Sequence, residues 1–372
     1  MTPKILIIMF SAALGILSYS LFLRHPATPA QNVPALQAPL VKARFTSLPP
    51  LSPSPPKSLG ELCAGADTEN FDCYENYYAR LVKKKGIAAA MVDIKRNYKV
   101  NPYVISQCHP LMHVIGREAS EQFQSPGDAF VKGDAFCWSG YYHGVMEGIV
   151  SRIGPKNVDD KLNGICANIK GKDVYSFDYY NCVHGLGHGL MDVNQDELFQ
   201  SLDNCDKLTG YWEQSSCASG VFMENVIIDN KNHKTNYLKP DDPLYPCPEV
   251  PEKYKQPCYL MQSSYILKVV GGDFAKTFVW CEKAEVNYQN TCYESVGRDA
   301  SGRSASDVTS TRNNCLLGKP GDEQEHCVIG AVKDFISYFH SDKQAKELCN
   351  SFAAENLRST CLYTADWYYK TF

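Results

Sequence analysis

The stretch DKQAKELCNSFAAENLRSTCLYTADWYYKTF, residues 342–372, contains the pattern that decides the fold. It predicts a helix that ends just after Cys349, a tight turn, and a second helix that begins just before Cys361. Antiparallel helices joined by such a turn bring the two cysteines within disulfide reach. We therefore expect a helical hairpin closed by a disulfide, which stabilises it by roughly 2 to 3 kcal/mol in the chain-entropy model.

The same cysteine spacing recurs along the chain, which contains sixteen cysteines. The second cysteine of each pair falls at positions 137, 182, 217, 258, 292, 327 and 361, a period of about thirty-four residues with two longer intervals. The sequence thus predicts an all-α protein, an array of about seven disulfide-stapled helical hairpins. Nearest neighbours are expected to pair: Cys63 with Cys73, Cys108 with Cys137, Cys166 with Cys182, Cys205 with Cys217, Cys247 with Cys258, Cys281 with Cys292, Cys315 with Cys327, and Cys349 with Cys361.

In shape, this array resembles tetratricopeptide and Sel1-like repeats, including secreted cysteine-rich forms, over residues 100–372. The resemblance rests on the period and on the position of the disulfides. Because the consensus tetratricopeptide residues are absent, it implies a solenoid shape and no activity. Seven hairpins can also close into an α/α toroid, as in several carbohydrate-active enzymes. The sequence leaves both arrangements open.

The N-terminal part of the chain predicts export. The apolar run from Ile5 to Leu23 has nearly the length of a membrane span, so we assign residues 1–24 to a signal anchor or a cleaved signal peptide. Residues 25–58 are rich in proline and predict a disordered linker. We expect the ectodomain, residues 59–372, to lie on the extracytoplasmic side of the cell envelope, where its cysteines pair. The absence of an Asn-x-Ser/Thr sequon favours a bacterial or archaeal envelope, such as a periplasm.

Composition and charge limit the classes of partner. Apolar residues make up 44 % of the chain and charged residues 21 %, which is typical of a globular protein. The net charge of −4 and the lack of a basic cluster exclude the electrostatic footprint of a nucleic-acid-binding protein. The predicted partners are the membrane, through the N-terminal helix, and a possible protein or glycan ligand on the concave face.

Glycines form a stripe on the second helices of the predicted hairpins. Gly140, Gly144 and Gly148 follow one another at four-residue steps. Each glycine inside a helix costs about 1 kcal/mol relative to alanine, so the stripe requires a reason. It predicts close packing against a neighbouring helix and, compatible with this, the approach of backbone or substrate.

Histidines and carboxylates recur at fixed positions after the cysteines of the first units. His143 and His188 each follow a cysteine by six residues, and Glu147 and Asp192 each follow by ten. Similar polar residues extend this face upstream and into later units: His109, His113, Arg117, His184, Glu224, Arg298 and Asp299. If successive units stack, these side chains line one surface.

The histidine pattern predicts a metal site. We expect His113, His143, His184 and His188 to be the ligands, with Glu147 or Asp192 completing the set or orienting it. Imidazole with carboxylate suits zinc, iron, manganese or copper. The sequence HGLGH, residues 184–188, lacks the glutamate of a HExxH motif and so excludes the familiar metalloprotease arrangement.

The accompanying charged residues favour catalysis. Candidate catalytic residues are Glu147, Asp192, Arg117 and Glu224, while Arg298 and Asp299 are candidates for binding substrate. The sequence thus predicts a membrane-anchored, metal-dependent enzyme of unknown substrate. Two alternatives stay open: a non-catalytic repeat scaffold that binds protein or glycan, and a protein for metal storage or delivery.

Overall fold

The computed structural model describes residues 58–63, 71–228 and 234–371. Most of these residues are helical and none of them forms a β-strand, so the predicted all-α class is confirmed. The proposed signal segment of residues 1–24, and the linker of residues 25–58 except its last residue, lie outside the described residues. Among the helices that are described, none has the length and apolar character needed to cross a membrane.

Short and long helices alternate through most of the described chain. The α-helices are α1 (Leu59–Cys63), α2 (Phe71–Lys85), α3 (Ile87–Tyr98), α4 (Pro102–Ser106), α5 (Cys108–Ser120), α6 (Pro126–Phe130), α7 (Gly140–Ile153), α8 (Val158–Ile165), α9 (Phe177–Val193), α10 (Leu198–Cys205), α11 (Tyr211–Ile228), α12 (Glu252–Val269), α13 (Phe274–Cys281), α14 (Gln289–Arg303), α15 (Val308–Cys315), α16 (Asp322–Phe339), α17 (Lys343–Asn350) and α18 (Glu355–Thr371). Two short 3₁₀ helices, Lys172–Val174 and Val286–Tyr288, precede α9 and α14.

Eight disulfides join the cysteines in the predicted nearest-neighbour pairs, and no described cysteine is free. In five hairpins, a short helix of eight residues ends at or next to the first cysteine, and the following long helix contains the second. The predicted position of the staple is correct in these hairpins. So many disulfides indicate an oxidising, extracytoplasmic environment.

Two cysteine pairs depart from this pattern. Cys247 lies in a turn-rich segment before α12 rather than in a helix, because five prolines between residues 240 and 251 remove backbone donors. Cys137 lies before α7, and its partner Cys108 begins α5 instead of ending a helix. Both disulfides form, although no short helix ends at the first cysteine of either pair.

The long helices pack side by side in chain order: α5, α7, α9, α11, α12, α14, α16 and α18. Residues from the first and last parts of this row also touch. The rings of Phe136 and Tyr338 have centroids 6.4 Å apart, and those of Phe177 and His340 are 4.8 Å apart. The indole of Trp138 covers Gly302 so closely that a Cβ there would lie 2.0 Å or less from three of its atoms.

Glycines mark the points where neighbouring long helices cross. A Cβ at Gly144 would lie 2.1 Å from the carbonyl oxygen of His113, and one at Gly116 would lie 2.1 Å from that of Tyr141. Equivalent contacts occur between α9 and α11, where a Cβ at Gly220 would lie 1.9 Å from the carbonyl oxygen of His184. Backbone therefore packs directly on backbone. Of the two predicted reasons for the glycine stripe, helix packing is the one seen here.

Adding a methyl group at a crossing point should destabilise the fold. We expect Gly220→Ala to lower the free energy of unfolding by about 1 to 3 kcal/mol or more, because the overlap is with backbone, which cannot rotate away. Gly164 in α8 is the matched control, because a Cβ there meets no atom within 4 Å. Gly164→Ala should leave stability unchanged or raise it by up to about 1 kcal/mol. Urea unfolding of the two variants measures the difference, and equal stabilities would contradict the packing role.

Candidate metal centre

Five buried histidines from three neighbouring helices meet in the interior. His109 and His113 come from α5, His143 from α7, and His184 and His188 from α9. Each has 5 % or less of its surface exposed. Ring centroids of neighbouring histidines lie between 4.4 and 6.3 Å apart. The structure thus brings together the four residues predicted as metal ligands and adds His109 as a fifth.

His109 was not in the predicted ligand set, although the sequence contains the signal for it. It precedes His113 by four residues, the same step that separates His184 from His188. In both pairs the rings lie on one helix face, one turn apart. The Nε2 atoms of His109 and His113 are 2.8 Å apart, and those of His184 and His188 are 3.2 Å apart.

Oxygen acceptors fix the protonation of two rings from outside the cluster. His109 Nδ1 lies 2.7 Å from the carbonyl oxygen of Cys137, which can only accept, so Nδ1 carries the hydrogen. His184 Nδ1 lies 2.8 Å from the hydroxyl of Ser219, whose own hydrogen is donated to the carbonyl oxygen of Ser216 at 2.7 Å. The shorter contact thus has Nδ1 of His184 donating to Ser219, and the hydroxyl of Tyr180 lies 3.2 Å from the same nitrogen. The neutral rings of both residues leave Nε2 as a bare acceptor.

A carboxylate held by an arginine fixes His113 in the same way. Oε1 of Glu147 lies 2.5 Å from Nδ1 of His113, and Oε2 accepts from Arg117 at 2.7 Å. Burial alone would raise the pKa of Glu147, but His113 and Arg117 outweigh burial and lower it to about 2. Glu147 is therefore ionised and accepts the Nδ1 hydrogen of His113. Arg117 is held in turn by Glu75, at 3.0 Å.

A second glutamate binds His188 in a different electrostatic setting. Oε2 of Glu224 on α11 lies 2.6 Å from Nδ1 of His188. Burial and the negative charge of Glu147 raise the pKa of Glu224 well above its usual range. The side chain of Glu224 is also more exposed than that of Glu147, 14 % against 5 %. The two carboxylates thus hold equivalent rings in unequal environments, and Glu224 is the one nearer to solvent.

The Nε2 atoms of His109 and His113 face each other at hydrogen-bond distance. Both rings carry hydrogen on Nδ1, and the two Nε2 atoms are 2.8 Å apart. At this distance a proton on one Nε2 would form a hydrogen bond to the other, whereas a metal at about 2.0 to 2.1 Å from each nitrogen would lie beside the line that joins them. Burial, and then the neighbouring His113, lower the pKa of His109 well below its usual value, which disfavours a proton on His109.

Three further histidines of the cluster, His143, His184 and His188, are kept neutral. Burial is the largest cause in each, and nearby histidines add to it, so that the pKa values of His143 and His188 lie well below the usual range. In His184, burial, then the charge of Arg298, then His113 lower the pKa to about 3. Neutral imidazole is the form that binds metal.

Three other candidate residues lie outside this cluster. Asp192 is exposed and accepts a hydrogen bond from Ser151 of α7. Arg298 donates to Ser264 at 2.8 Å and pairs with Asp299 at 3.3 Å, on α14. Within the described part of the chain, neither Arg298 nor Asp299 makes a hydrogen bond to a histidine, but Arg298 is close enough to lower the pKa of His184.

Ligand atoms of the histidines and glutamates form three overlapping sets, in each of which the atoms lie within 4.8 Å of one another: His109, His113 and His143; His143, His184 and His188; and His113, Glu147, His188 and Glu224.

Comparisons with protein-family models, with curated proteins and with solved structures find no match to this chain. The function is therefore inferred from the geometry of the site itself.

Asp334 on α16 is a titratable residue that sequence reasoning missed, and it lies near the Arg298–Asp299 pair. Burial is the largest influence on its pKa, and with the charge of Asp299 it outweighs the opposing effects of Ser301 and Arg298, raising the pKa to about 7. Its sequence neighbours give no sign of this. The effect arises from residues of α14 that fold against α16.

Asp334 should make the folded state less stable as pH rises from about 4 to about 7. Its pKa of about 7 in the folded protein exceeds that of an exposed aspartate, so the protonated form favours folding below about pH 4 and this contribution is lost as pH approaches 7. We expect Asp334→Asn to remove this loss. Unfolding free energies measured from pH 4 to 8 should show the variant gaining on the wild type with rising pH, whereas Asp160→Asn, at an exposed site, should follow the wild type. Parallel curves for Asp334→Asn would contradict the assignment.

Proposed function

We propose that this protein is an extracytoplasmic metalloenzyme whose histidine cluster binds a divalent transition metal. The observation that carries the proposal is the convergence of five buried imidazoles, whose ligand atoms come within 4.8 Å of one another in overlapping sets. In His109 and His113 the Nδ1 atom faces an acceptor outside the cluster, which leaves Nε2 of each ring for a metal. His143, His184 and His188 supply further nitrogen ligands within reach.

The donor set supports zinc, iron, manganese or copper. Imidazole nitrogen is the main ligand type, and no thiolate is available because all sixteen cysteines form disulfides. Met146, on the same helix as His143, directs its sulfur to Cys182 at 3.7 Å, so it gives no support for a copper–thioether bond. Zinc is the simplest first probe, since it requires no redox control.

The carboxylates have separate roles in this proposal. Glu147, fixed by Arg117, orients His113 and keeps Nε2 of that ring free, as in a carboxylate–histidine–metal triad. Glu224 orients His188 and, being nearer to solvent, is the better candidate to exchange protons with a substrate. When bound, the metal would supply a Lewis acid and lower the pKa of a coordinated water.

We also propose that the helix row closes into a ring, the toroid alternative of the sequence analysis. The contacts of Phe136 with Tyr338 and of Phe177 with His340 support this arrangement, because they join early and late parts of the row. Such a ring places α14 across the interior from α9, which agrees with the influence of Arg298 on the pKa of His184. Arg298, steadied by Asp299, is then a candidate to hold an anionic group of a substrate.

Metal storage or delivery is the second candidate function. Its support is the burial of the five histidines, of which none has more than 5 % of its surface exposed. An enzyme needs a substrate path to the metal, whereas a storage site does not. Exchange of bound metal with a chelator distinguishes the two, because a storage or delivery protein must release its ion while an enzyme retains it.

The metal should be present in the native protein and depend on the cluster. We expect elemental analysis of full-length protein, purified without a histidine tag, to find at least about one equivalent per chain. Replacing His113 and His188 together by glutamine removes a nitrogen from each histidine pair and should abolish this content while the disulfides keep the chain folded. His326→Gln is the control, because His326 lies on α16 beside Glu294, outside the cluster.

Two results would overturn the proposal. The first is native protein that contains no metal and takes up none from zinc, iron, manganese or copper at neutral pH. The second is a folded His113→Gln, His188→Gln variant with unchanged metal content, which would place the site elsewhere. Folding is checked independently by non-reducing peptide mapping of the eight disulfides.

A further inference from the structure

His143 differs from the other four histidines in its hydrogen bonds. Each of the others has Nδ1 within 2.8 Å of an oxygen atom outside the cluster, so only Nε2 faces inward. Among the described residues, the hydrogen-bonding contact of the His143 ring is with Nε2 of His109, 3.5 Å from its Nδ1. This ring, with 2 % of its surface exposed, therefore has no oxygen partner to hold either nitrogen.

His143 also lies between the two histidine pairs. It belongs both to the set with His109 and His113 and to the set with His184 and His188, whereas one residue of each pair, His113 and His188, meets the other in the third set with the two glutamates. Its ring stacks on His188 with centroids 4.4 Å apart and planes 18° apart, and it meets the ring of His109 at 5.2 Å. Because a metal lies in the plane of each imidazole that binds it, one of the two stacked rings must turn for both to bind one ion. The middle helix, α7, thus offers one ring to the pairs on both sides.

We propose that the cluster holds two metal ions bridged by His143. One ion takes Nε2 of His109 and His113 with one nitrogen of His143, and the other takes Nε2 of His184 and His188 with the second nitrogen. This inference rests on the proposed metal-binding function and adds its stoichiometry and bridging ligand. For His143 to bind through both nitrogens its ring hydrogen leaves as a proton to solvent, so the bridge is an imidazolate.

Ligand counting favours two ions over one. Five imidazoles on a single ion exceed the three protein ligands that are typical of a catalytic zinc site. Divided between two ions, they give three nitrogens to each, with His143 counted twice, and leave open positions on both. Glu147 and Glu224 remain on the Nδ1 side of His113 and His188, one for each half of the centre.

Copper(II) is the probe that tests stoichiometry and bridging together. Full-length protein is freed of metal, loaded with copper(II), and analysed by elemental analysis and electron paramagnetic resonance. We expect two coppers per chain with an integrated signal far below two spins at low temperature, because an imidazolate bridge couples the two ions. His143→Gln should abolish the coupling, so that each copper that remains bound contributes a full spin.

Paired variants test the two halves separately. His109→Gln with His113→Gln should retain one copper per chain with one full spin, and His184→Gln with His188→Gln should do the same. His326→Gln should retain two coupled coppers. If the wild type saturates at one copper and each paired variant loses it, the centre holds a single ion: the two-ion inference fails while the proposed metal-binding function stands. If the wild type binds none, both fail.

Discussion

Direct contact between helix backbones at glycine is the constraint on which the site depends. The carbonyl oxygens of His113 and His184 each face a glycine of the next long helix, Gly144 and Gly220, with no room for a Cβ between them. Side chains one turn away are therefore brought closer than ordinary helix packing allows. Glu147 follows Gly144 by three residues and Glu224 follows Gly220 by four, and each reaches a histidine of the preceding helix. The glycines thus set the geometry of the site.

This dependence explains which parts of the site the sequence predicted. Disulfide pairing and the all-helical class follow from local spacing, and both are confirmed. Counting from the cysteines placed Asp192 as the equivalent of Glu147, yet the carboxylate that binds His188 is Glu224, from the next helix. The register between helices is set by the glycine at the crossing point and not by the cysteine. Measured from the cysteine, the position of this glycine differs by one turn between α7 and α11.

Other features depend on contacts between distant parts of the chain and leave no local trace. Asp334 owes its raised pKa to burial against α14, which lies more than thirty residues earlier in the sequence. The approach of Arg298 to His184 likewise joins two helices that are not neighbours in the row. Spacing counted along the chain relates each helix to the next, and so it misses interactions between helices that are far apart in the sequence.

Burying five imidazoles costs free energy that the scaffold must offset before any metal binds. Small metal-dependent domains often unfold without their ion, because the metal supplies most of the folding free energy. Here the disulfides lie at the hairpin turns, at the ends of the long helices. Because they are covalent, each contributes to the stability of the fold independently of the histidine cluster. The scaffold can thus hold the five imidazoles together without relying on a bound ion. A metal bound there would add to a stability that the disulfides already supply.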